Sequence, residues 1–257
     1  MVDIHTHILP GLDDGPAHPE ISLQMLRLAA AAGTTDIVLT PHASPQFPYR
    51  PEAVKLAFEN LSRLAAGLLR LHLGCDFHLE LTNLYDALRY PEKYTINGHQ
   101  YLMVELPEYP AFQTTQQALL ELIRARFIPV ITHPERNPLL QHHPQYLRQY
   151  VAGGCLVQVT AQSFLGYFGR AAKRSAHRLL HSGLIHFIAS DAHDPQHRPP
   201  VLNQTRQYLA SRYGDHLCRA LFLENPSATL TGDPIPFRAP KTFPITRILR
   251  TFWRARA

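Results

Sequence analysis

Short apolar runs alternate along the chain with longer segments whose apolar residues recur at helical spacing. Seven runs are rich in Val, Ile, Leu or Phe and lack strict alternation, which is typical of strands buried on both faces. They cover residues 2–7, 36–42, 71–78, 101–106, 127–133, 156–161 and 186–193. The pattern therefore predicts seven buried strands.

The segments between these runs carry helical patterns. In segment 21–32, for example, Ile21, Met25, Leu28 and Ala32 share one helical face, and Gly33 follows as a stop signal. The other predicted helices cover 51–69, 114–125, 144–152, 164–181, 201–213 and 215–223. Alternation of strands with helices implies parallel pairing, either in an open doubly wound α/β sheet or in an α/β barrel. No G-x-G-x-x-G follows the first run, which weakens the dinucleotide-binding form of the open sheet.

Composition narrows the class of protein. The chain has 257 residues, of which 45% are hydrophobic and 18% charged, so a folded globular protein is expected. Three cysteines without a C-x-x-C pair exclude a disulfide scaffold and a zinc ribbon. The sequence shows no secretory signal and no apolar stretch of about 18 residues, so a cytoplasmic location is expected.

Metal-capable side chains stand at the carboxyl end of six of the seven runs. They are His5 and His7, His42, Asp76, Glu105, His133, and Asp191 and His193. The carboxyl ends of barrel strands converge on one face, where so many carboxylates and imidazoles would repel one another unless cations lay between them. The sequence therefore predicts a metal site at this face.

The residue types at these ends also indicate which metal and how many ions. Imidazole and carboxylate without thiolate favour Mn, Fe or a catalytic Zn over a structural zinc. The candidates outnumber the ligands that one ion needs. Two or three ions with a bridging carboxylate are therefore predicted, an arrangement that suits phosphate chemistry.

The first of these ends lies in a longer motif. His5-Thr6-His7-Ile8-Leu9-Pro10-Gly11-Leu12-Asp13-Asp14-Gly15 resembles the opening of the polymerase and histidinol phosphatase (PHP) superfamily, and more narrowly the bacterial metal-dependent protein-tyrosine phosphatases of capsule and exopolysaccharide clusters. The blocks around His42, Asp76, Glu105, His133 and Asp191 match in the same order, and the resemblance ends near residue 226. It implies a single domain, a distorted (β/α)7 TIM-like barrel of the PHP fold. We expect this domain to span 1–233 and a basic Pro/Arg-rich tail to span 234–257.

The resemblance also implies a trinuclear centre, usually assigned manganese (Mn²⁺), with Fe and Zn as alternatives. The implied ligands are His5, His7, Asp76 and Asp191 for the first ion, Asp76, Glu105 and His133 for the second, and Asp14, His42 and His193 for the third. The family usually has Glu at the bridging position, whereas this chain has the shorter Asp76, with Glu80 as a fallback. Arg136 and Arg198 match the arginines that bind the substrate phosphate and stabilise the transition state.

Several nearby residues receive other interpretations. Asp3 shares the strand parity of His5, so we expect it to orient an imidazole. His78 is interpreted as having no metal role, and Cys75 as a packing residue. For Phe47 and Tyr49, substrate contact and ordinary packing remain equally open.

The resemblance implies hydrolysis of phosphotyrosine by a metal-activated hydroxide, with a membrane-bound tyrosine autokinase as the phosphotyrosyl protein partner. Three alternatives remain: a phosphatase of a small phosphomonoester such as histidinol phosphate or a sugar phosphate, a nuclease-type hydrolase, and a non-catalytic binding module. A cysteine-dependent phosphatase is excluded, because C-x5-R would require Arg where Leu81, Ala161 and Glu224 stand. The resemblance also suggests a homo-oligomer.

The net charge of +5 reflects the end of the chain rather than the body. Six of the 25 basic residues follow Phe237 with no acidic residue among them, which leaves 19 basic against 20 acidic residues before that point. The basic pI therefore gives no support to a nucleic-acid partner. The apolar residues of segment 245–253 lie among arginines, a pattern that suits either contact with an anionic membrane surface or a packed terminal helix.

Overall fold

The structure is a computed structural model, and it describes residues 1–108 and 111–238. These residues form nine strands that pair only in parallel, in the order β1-β2-β4 and β3-β5-β6-β7-β8-β9. The strands are β1 (Val2–Asp3), β2 (Asp36–Leu39), β3 (His42–Ala43), β4 (Arg70–Leu73), β5 (Asp76–His78), β6 (Tyr101–Glu105), β7 (Ile128–Ile131), β8 (Leu156–Thr160) and β9 (Phe187–Ala189).

The nine strands occupy seven positions around a distorted barrel, because two predicted strands are each split in two. Pro41 separates β2 from β3, and Gly74 and Cys75 separate β4 from β5. A Cβ atom at Gly74 would lie 3.1 Å from Val38 Cγ1, so glycine avoids a tight contact at the bend. At each split the chain changes direction, so that β3 and β5 lie at the mouth of the barrel.

Backbone contacts between the first and last strand positions close the barrel. Thr6 and Ala192 form a parallel bridge, the His7 N–H donates to the Ala192 carbonyl at 2.8 Å, and the Asp191 N–H donates to the His5 carbonyl at 2.9 Å. The predicted seven-unit barrel is confirmed. These contacts place the segment after β1, which carries His5 and His7, beside the segment after β9, which carries Asp191.

Helices follow the strands in nearly every unit. They are α1 (Pro19–Ala31), α2 (Pro51–Leu64), α3 (Leu81–Arg89), α4 (Phe112–Arg124), α5 (Pro138–His142), α6 (Pro144–Ala152), α7 (Ala161–Leu165), α8 (Gly169–His181), α9 (Asn203–Tyr213), α10 (Asp215–Arg219) and α11 (Asn225–Thr231), with a π-helical turn over Ala220–Glu224. Proline stands within the first two positions of α1, α2, α5, α6 and α11, where its missing N–H costs nothing.

The helical predictions need correction in two respects. The segment 164–181 is not one helix, because Gly166 adopts φ +98° and ends α7 before α8 begins. Helices α3, α5 and α11 were not predicted, although in α3 the residues Leu81, Leu84 and Leu88 recur at helical spacing. The first error matters for function, because the turn between α7 and α8 reaches the site.

Apolar side chains fill the barrel beneath its mouth. Val2, Val38, Met103, Val130 and Phe187 come from five different strands, are fully buried and belong to one cluster. A second, larger cluster packs the surrounding helices against the outside of the strands. Water is therefore excluded below the polar residues at the strand ends, which strengthens electrostatic interactions there.

The described part of the tail is fixed to the barrel. Asn225 exchanges two hydrogen bonds with the Phe237 backbone, at 2.9 and 3.0 Å. The rest of the predicted tail, including segment 245–253, lies outside the described residues. In residues 1–108 and 111–238, no helix has the length and apolar character needed to cross a membrane.

Candidate metal centre

All nine predicted ligands meet at the carboxyl-terminal mouth of the barrel. In the described part of the chain they form overlapping groups whose donor atoms lie within 4.8 Å of one another. The groups are His5, His7 and Asp76; His5, His133 and Asp191; His7, Asp14, His42 and His193; and His42, Asp76, His78 and Glu105. The overlap describes one continuous cluster of donors rather than separate sites.

The imidazoles of His5 and His7 are turned toward each other. Their Nε2 atoms lie 3.2 Å apart, while His5 Nδ1 faces Gln158 Oε1 at 3.0 Å and His7 Nδ1 faces Asp13 Oδ2 at 2.8 Å. An acceptor at each Nδ1 holds a proton there, so Nε2 is the nitrogen that each ring presents to the cluster, as in metal-bound histidines. Both rings are thus prepared for a shared cation.

The sequence reasoning missed Asp13 and Gln158. Asp13 stands inside the opening motif, and it also accepts the His42 N–H at 3.1 Å. Gln158 is fully buried in the otherwise apolar strand β8. A buried amide in such a strand is the one signal that could have drawn attention to it.

Asp76 lies at the centre of the cluster despite its short side chain. Its Oδ2 atom is 3.5 Å from His5 Nε2, 3.3 Å from His42 Nδ1 and 4.0 Å from His7 Nε2. The alternative bridge, Glu80, stands at the N-cap of α3 and belongs to none of the donor groups. The position of Asp76 therefore suits a carboxylate shared between ions.

Glu105 links the next part of the cluster. Its carboxylate contacts His78 and lies 3.8 Å from His133 Nε2 and 3.7 Å from His42 Nδ1. His78, which the sequence left without a metal role, is thus a fourth donor beside His42, Asp76 and Glu105. Its place follows from strand parity, because Asp76 and His78 are two residues apart in β5.

Asp14, His42 and His193 form the outer part of the cluster. Asp14 Oδ1 lies 3.4 Å from the Nε2 atoms of both histidines, and the Asp14 side chain is 47% exposed. Gly15 follows because a side chain at that position would lie only 2.1 Å from the His7 carbonyl oxygen. The close approach of this turn to His7 brings Asp14 over the mouth.

Two of the clustered residues have left-handed backbones that side chains normally avoid. His133 has φ +33° and Asp191 has φ +54°. Strain of this kind in non-glycine residues persists when the surrounding structure enforces it, and it concentrates at functional sites. The two residues close the inner wall of the cluster together with His5.

The two predicted arginines lie beside Asp191. Arg136 Nη2 is 2.6 Å and Arg198 Nη2 is 2.7 Å from Asp191 Oδ2. The Arg198 loop folds back because Asp194 accepts backbone N–H groups from residues 196–198, and Arg198 Nε is buried without a hydrogen-bond partner among the described residues. Both guanidinium groups also lie over the Phe168 ring, which sequence reasoning did not single out.

Neighbouring charges in the cluster shift the pKa values of one another. Burial lowers the pKa of His5, but the Asp76 and Asp191 carboxylates outweigh it and raise that pKa to about 9. Burial is likewise outweighed at His42, where Asp14 and Asp76 raise the pKa to about 11. His5 and His42 in turn hold the pKa of Asp76 well below its usual range despite burial. In the absence of metal, protonated His5 and His42 therefore balance the negative charge of the carboxylates.

Unpaired polar atoms test whether metal ions fit here. Within the described residues, the atoms Asp76 Oδ2, His42 Nδ1, His78 Nε2 and Glu105 Oε2 are buried, face one another and make no well-aligned hydrogen bond. Buried polar atoms are otherwise almost always hydrogen-bonded. Their convergence, with nitrogen and oxygen donors only, fits divalent cations well.

Asp3, Phe47 and Tyr49 lie close to the cluster, and the structure shows what each of them contacts. Asp3 accepts the Ser190 N–H at 3.0 Å, so it anchors the loop before Asp191 and orients no imidazole. Asp3 does lie on the same face of the strand as His5, but it is two residues earlier and therefore deeper in the barrel. Phe47 stacks on the His42 ring with centroids 5.8 Å apart, whereas the half-buried Tyr49 packs against Tyr94.

The cysteines take no part in the cluster. Cys75, Cys155 and Cys218 are all buried. Burial raises the pKa of Cys155 to about 12 and that of Cys75 well above its ordinary value. The thiols are therefore protonated packing groups, as expected for Cys75.

Comparison with known proteins identifies the family. The sequence model of the family described as "Capsular polysaccharide synthesis, CpsB/CapC" matches residues 1–231. The chain belongs to this family. The CpsB/CapC relatives include the putative tyrosine-protein phosphatase CapC of Staphylococcus aureus, 34% identical over 93% of this chain and 95% of its own length. The tyrosine-protein phosphatase YwqE of Bacillus subtilis is 32% identical over the same shares.

Solved structures agree with this CpsB/CapC assignment. One, from crystallographic work on YwqE of Bacillus subtilis and CpsB of Streptococcus pneumoniae, described as unique metal-dependent tyrosine phosphatases, superposes with a TM-score of 0.84 and 32% identity. It covers 94% of this chain and 98% of its own. A histidinol phosphate phosphatase of Lactococcus lactis, 10% identical over 87% of this chain and 96% of its own, has a TM-score of 0.56 and shares the fold alone.

Proposed function

We propose that this CpsB/CapC-family protein is a metal-dependent phosphatase that hydrolyses phosphotyrosine in proteins. The observation that carries the proposal is the cluster of imidazole and carboxylate donors at the barrel mouth, flanked by Arg136 and Arg198. The names of its relatives support the same activity. The buried, protonated cysteines favour metal chemistry over a cysteine nucleophile.

The donor groups suit two or three ions, for which we propose Mn²⁺, with Fe or Zn as alternatives. The proposed ligands are the nine predicted residues: His5, His7, Asp14, His42, Asp76, Glu105, His133, Asp191 and His193. His78 joins them through Glu105 and His42. Bound ions of this type make water a nucleophile near neutral pH and stabilise charge on phosphate oxygens.

Arg136 and Arg198 would bind the phosphate group. Each presents a planar fork of N–H donors that matches phosphate oxygens, and the buried Nε of Arg198 has a donor to offer. Asp191 holds one nitrogen of each arginine, which fixes the pair beside the donor cluster. Positive charge fixed in this way stabilises the transition state of phosphoryl transfer without reorganisation.

A cavity beside Arg136 could receive the tyrosyl ring. It has a volume of about 380 Å³ and joins the polar side chains of Glu105 and His133 to the apolar side chains of Leu106 and Leu140. Pockets that combine apolar walls with a few converging polar groups are typical of small-ligand sites. An aryl group there would lie next to the phosphate-binding arginine.

We further propose a cytoplasmic role in capsule or exopolysaccharide synthesis. The partner would be a membrane-bound tyrosine autokinase whose phosphotyrosines this protein removes. The family description supports the capsule role. Membrane contact by the basic tail and self-association remain proposals of the same kind, and a nucleic-acid partner is not proposed.

Substrate preference tests the function directly. The Mn²⁺-loaded protein should hydrolyse a phosphotyrosyl peptide with a kcat/KM at least about tenfold above those for histidinol phosphate and a sugar phosphate, a difference of about 1.4 kcal/mol. Phosphate release would be measured for all three under identical conditions. A preference for histidinol phosphate would contradict the proposal, and no turnover of any phosphomonoester would favour a binding module.

A further inference from the structure

Phe168 lies against both predicted phosphate-binding arginines. The Cζ atom of Arg136 is 4.7 Å, and that of Arg198 is 5.8 Å, from the centroid of its ring. Both distances fall within the roughly 6 Å range of a cation–π contact. One aromatic side chain thus contacts two guanidinium groups that come from different barrel units.

The turn that carries Phe168 is built to place it. Gly166 ends α7 with φ +98°, Gly169 begins α8 with φ +85°, and the Gly169 N–H donates to the Gly166 carbonyl at 3.0 Å. Phe168 is half-buried between them, whereas its neighbour Tyr167 is 64% exposed. The two aromatic residues of this turn therefore differ sharply in environment.

A buried carboxylate ties this turn to the Arg136 loop. Glu135 Oε1 accepts the Ser163 hydroxyl at 2.7 Å and the Thr160 N–H at 3.1 Å, and Glu135 is fully buried. Ser163 lies in α7, which leads into the Phe168 turn, while Glu135 directly precedes Arg136. The ring and the first guanidinium are thus held on connected segments.

We propose that Phe168 is a positioning residue that holds Arg136 and Arg198 in the orientation that binds the substrate phosphate. Asp191 fixes one nitrogen of each arginine, and the ring limits rotation of each guanidinium about that contact. The remaining N–H donors, including the buried Nε of Arg198, which has no hydrogen-bond partner among the described residues, are thereby kept together. The proposal rests on the proposed function, since it assumes that these arginines receive a phosphate.

Inorganic phosphate provides a test that does not require turnover. Calorimetric titration of the Mn²⁺-loaded protein should give a phosphate Kd about tenfold higher for Phe168→Leu than for the unsubstituted protein, because loss of two cation–π contacts frees both guanidiniums. Phe168→Trp, which keeps an aromatic face, should restore most of the affinity. Metal content should be unchanged in both variants.

Tyr167→Leu is the matched control, because it removes an aromatic ring from the same turn without touching either arginine. It should leave the phosphate Kd unchanged. Toward a phosphotyrosyl peptide, Phe168→Leu should raise KM and lower kcat, whereas a purely structural role would lower the melting temperature and leave the Kd of the folded protein unaltered. That result, or an equal loss of affinity in Tyr167→Leu, would overturn the proposal.

Failure of the proposed function would look different. If the unsubstituted protein bound phosphate but hydrolysed no phosphotyrosyl peptide, the function would fall while the comparison of phosphate Kd values would still decide the role of Phe168. If Phe168→Leu matched the unsubstituted protein in phosphate Kd, the positioning role would fall while the function could stand. The two outcomes are therefore separable.

Discussion

Arg198 donates from Nη2 to Oδ2 of Asp191 at 2.7 Å, and the other oxygen of that carboxylate faces the metal-ligand cluster. Asp191 Oδ1 lies 3.6 Å from the Nε2 atoms of both His5 and His7. One carboxylate thus separates the arginines from the imidazoles and contacts both. In the proposed function, phosphate binding therefore lies on one side of Asp191 and metal binding on the other.

Substitution of an arginine on one side of Asp191 and of a histidine on the other should affect metal content differently. Arg198→Ala should lower kcat/KM by about 10³-fold through lost transition-state stabilisation while metal content stays at the level of the unsubstituted protein. His7→Ala should lose metal and turnover together. Elemental analysis alongside phosphotyrosyl peptide kinetics checks both, and loss of metal in Arg198→Ala would contradict this division of roles.

Gly15→Ala should damage the site through the backbone. The added methyl group would lie 2.1 Å from the His7 carbonyl oxygen, so the turn carrying Asp13 and Asp14 must move. We expect a loss of stability of about 2–4 kcal/mol and weaker metal binding. Chemical denaturation with metal titration measures both, and Gly153→Ala, whose methyl would meet only ordinary contacts at 3.4 Å, is the control. Equal effects of the two substitutions would refute this explanation.

Asp13→Ala should weaken metal binding although Asp13 is not a proposed ligand. Asp13 fixes His7 through Nδ1 and His42 through its N–H, so its loss frees the His7 ring. Loss of such a partner typically costs about 10–100-fold in metal affinity. Competition with a fluorescent chelator would measure the change, and an affinity within about twofold of the original would show that the contact is dispensable.

Metal loading should release protons. The pKa of His5 is raised to about 9 and that of His42 to about 11, so both imidazoles carry a proton near pH 7.5 and must lose it to coordinate a metal. Burial lowers the pKa of His7 to about 4, so His7 is already neutral and contributes none. Metal affinity should therefore rise with pH through about 9, where His5 loses its proton, and further toward about 11, where His42 loses its own. Calorimetry in buffers of different ionisation enthalpy counts the protons, and a count of zero would be inconsistent with these charges.

Local pattern in the sequence predicted the parallel α/β units and the cluster of metal-binding side chains, whereas the family resemblance predicted the barrel. An apolar run predicts a buried strand, and a histidine or carboxylate at the carboxyl end of that run marks the end of the strand where the site lies. The sequence could not predict contacts that depend on how distant segments pack, such as Gln158 with His5 or Phe168 with the arginines. Asp3 was misinterpreted for the same reason, since strand parity gives the face of a residue and not its depth.

Removal and return of metal test the central claim most directly. The chelated protein should show no turnover of a phosphotyrosyl peptide, and addition of Mn²⁺ should restore turnover in proportion to the ions bound, with two or three per chain at full activity. A variant lacking Cys75, Cys155 and Cys218 should behave identically. Full turnover by protein that elemental analysis shows to be free of divalent metal would contradict the account.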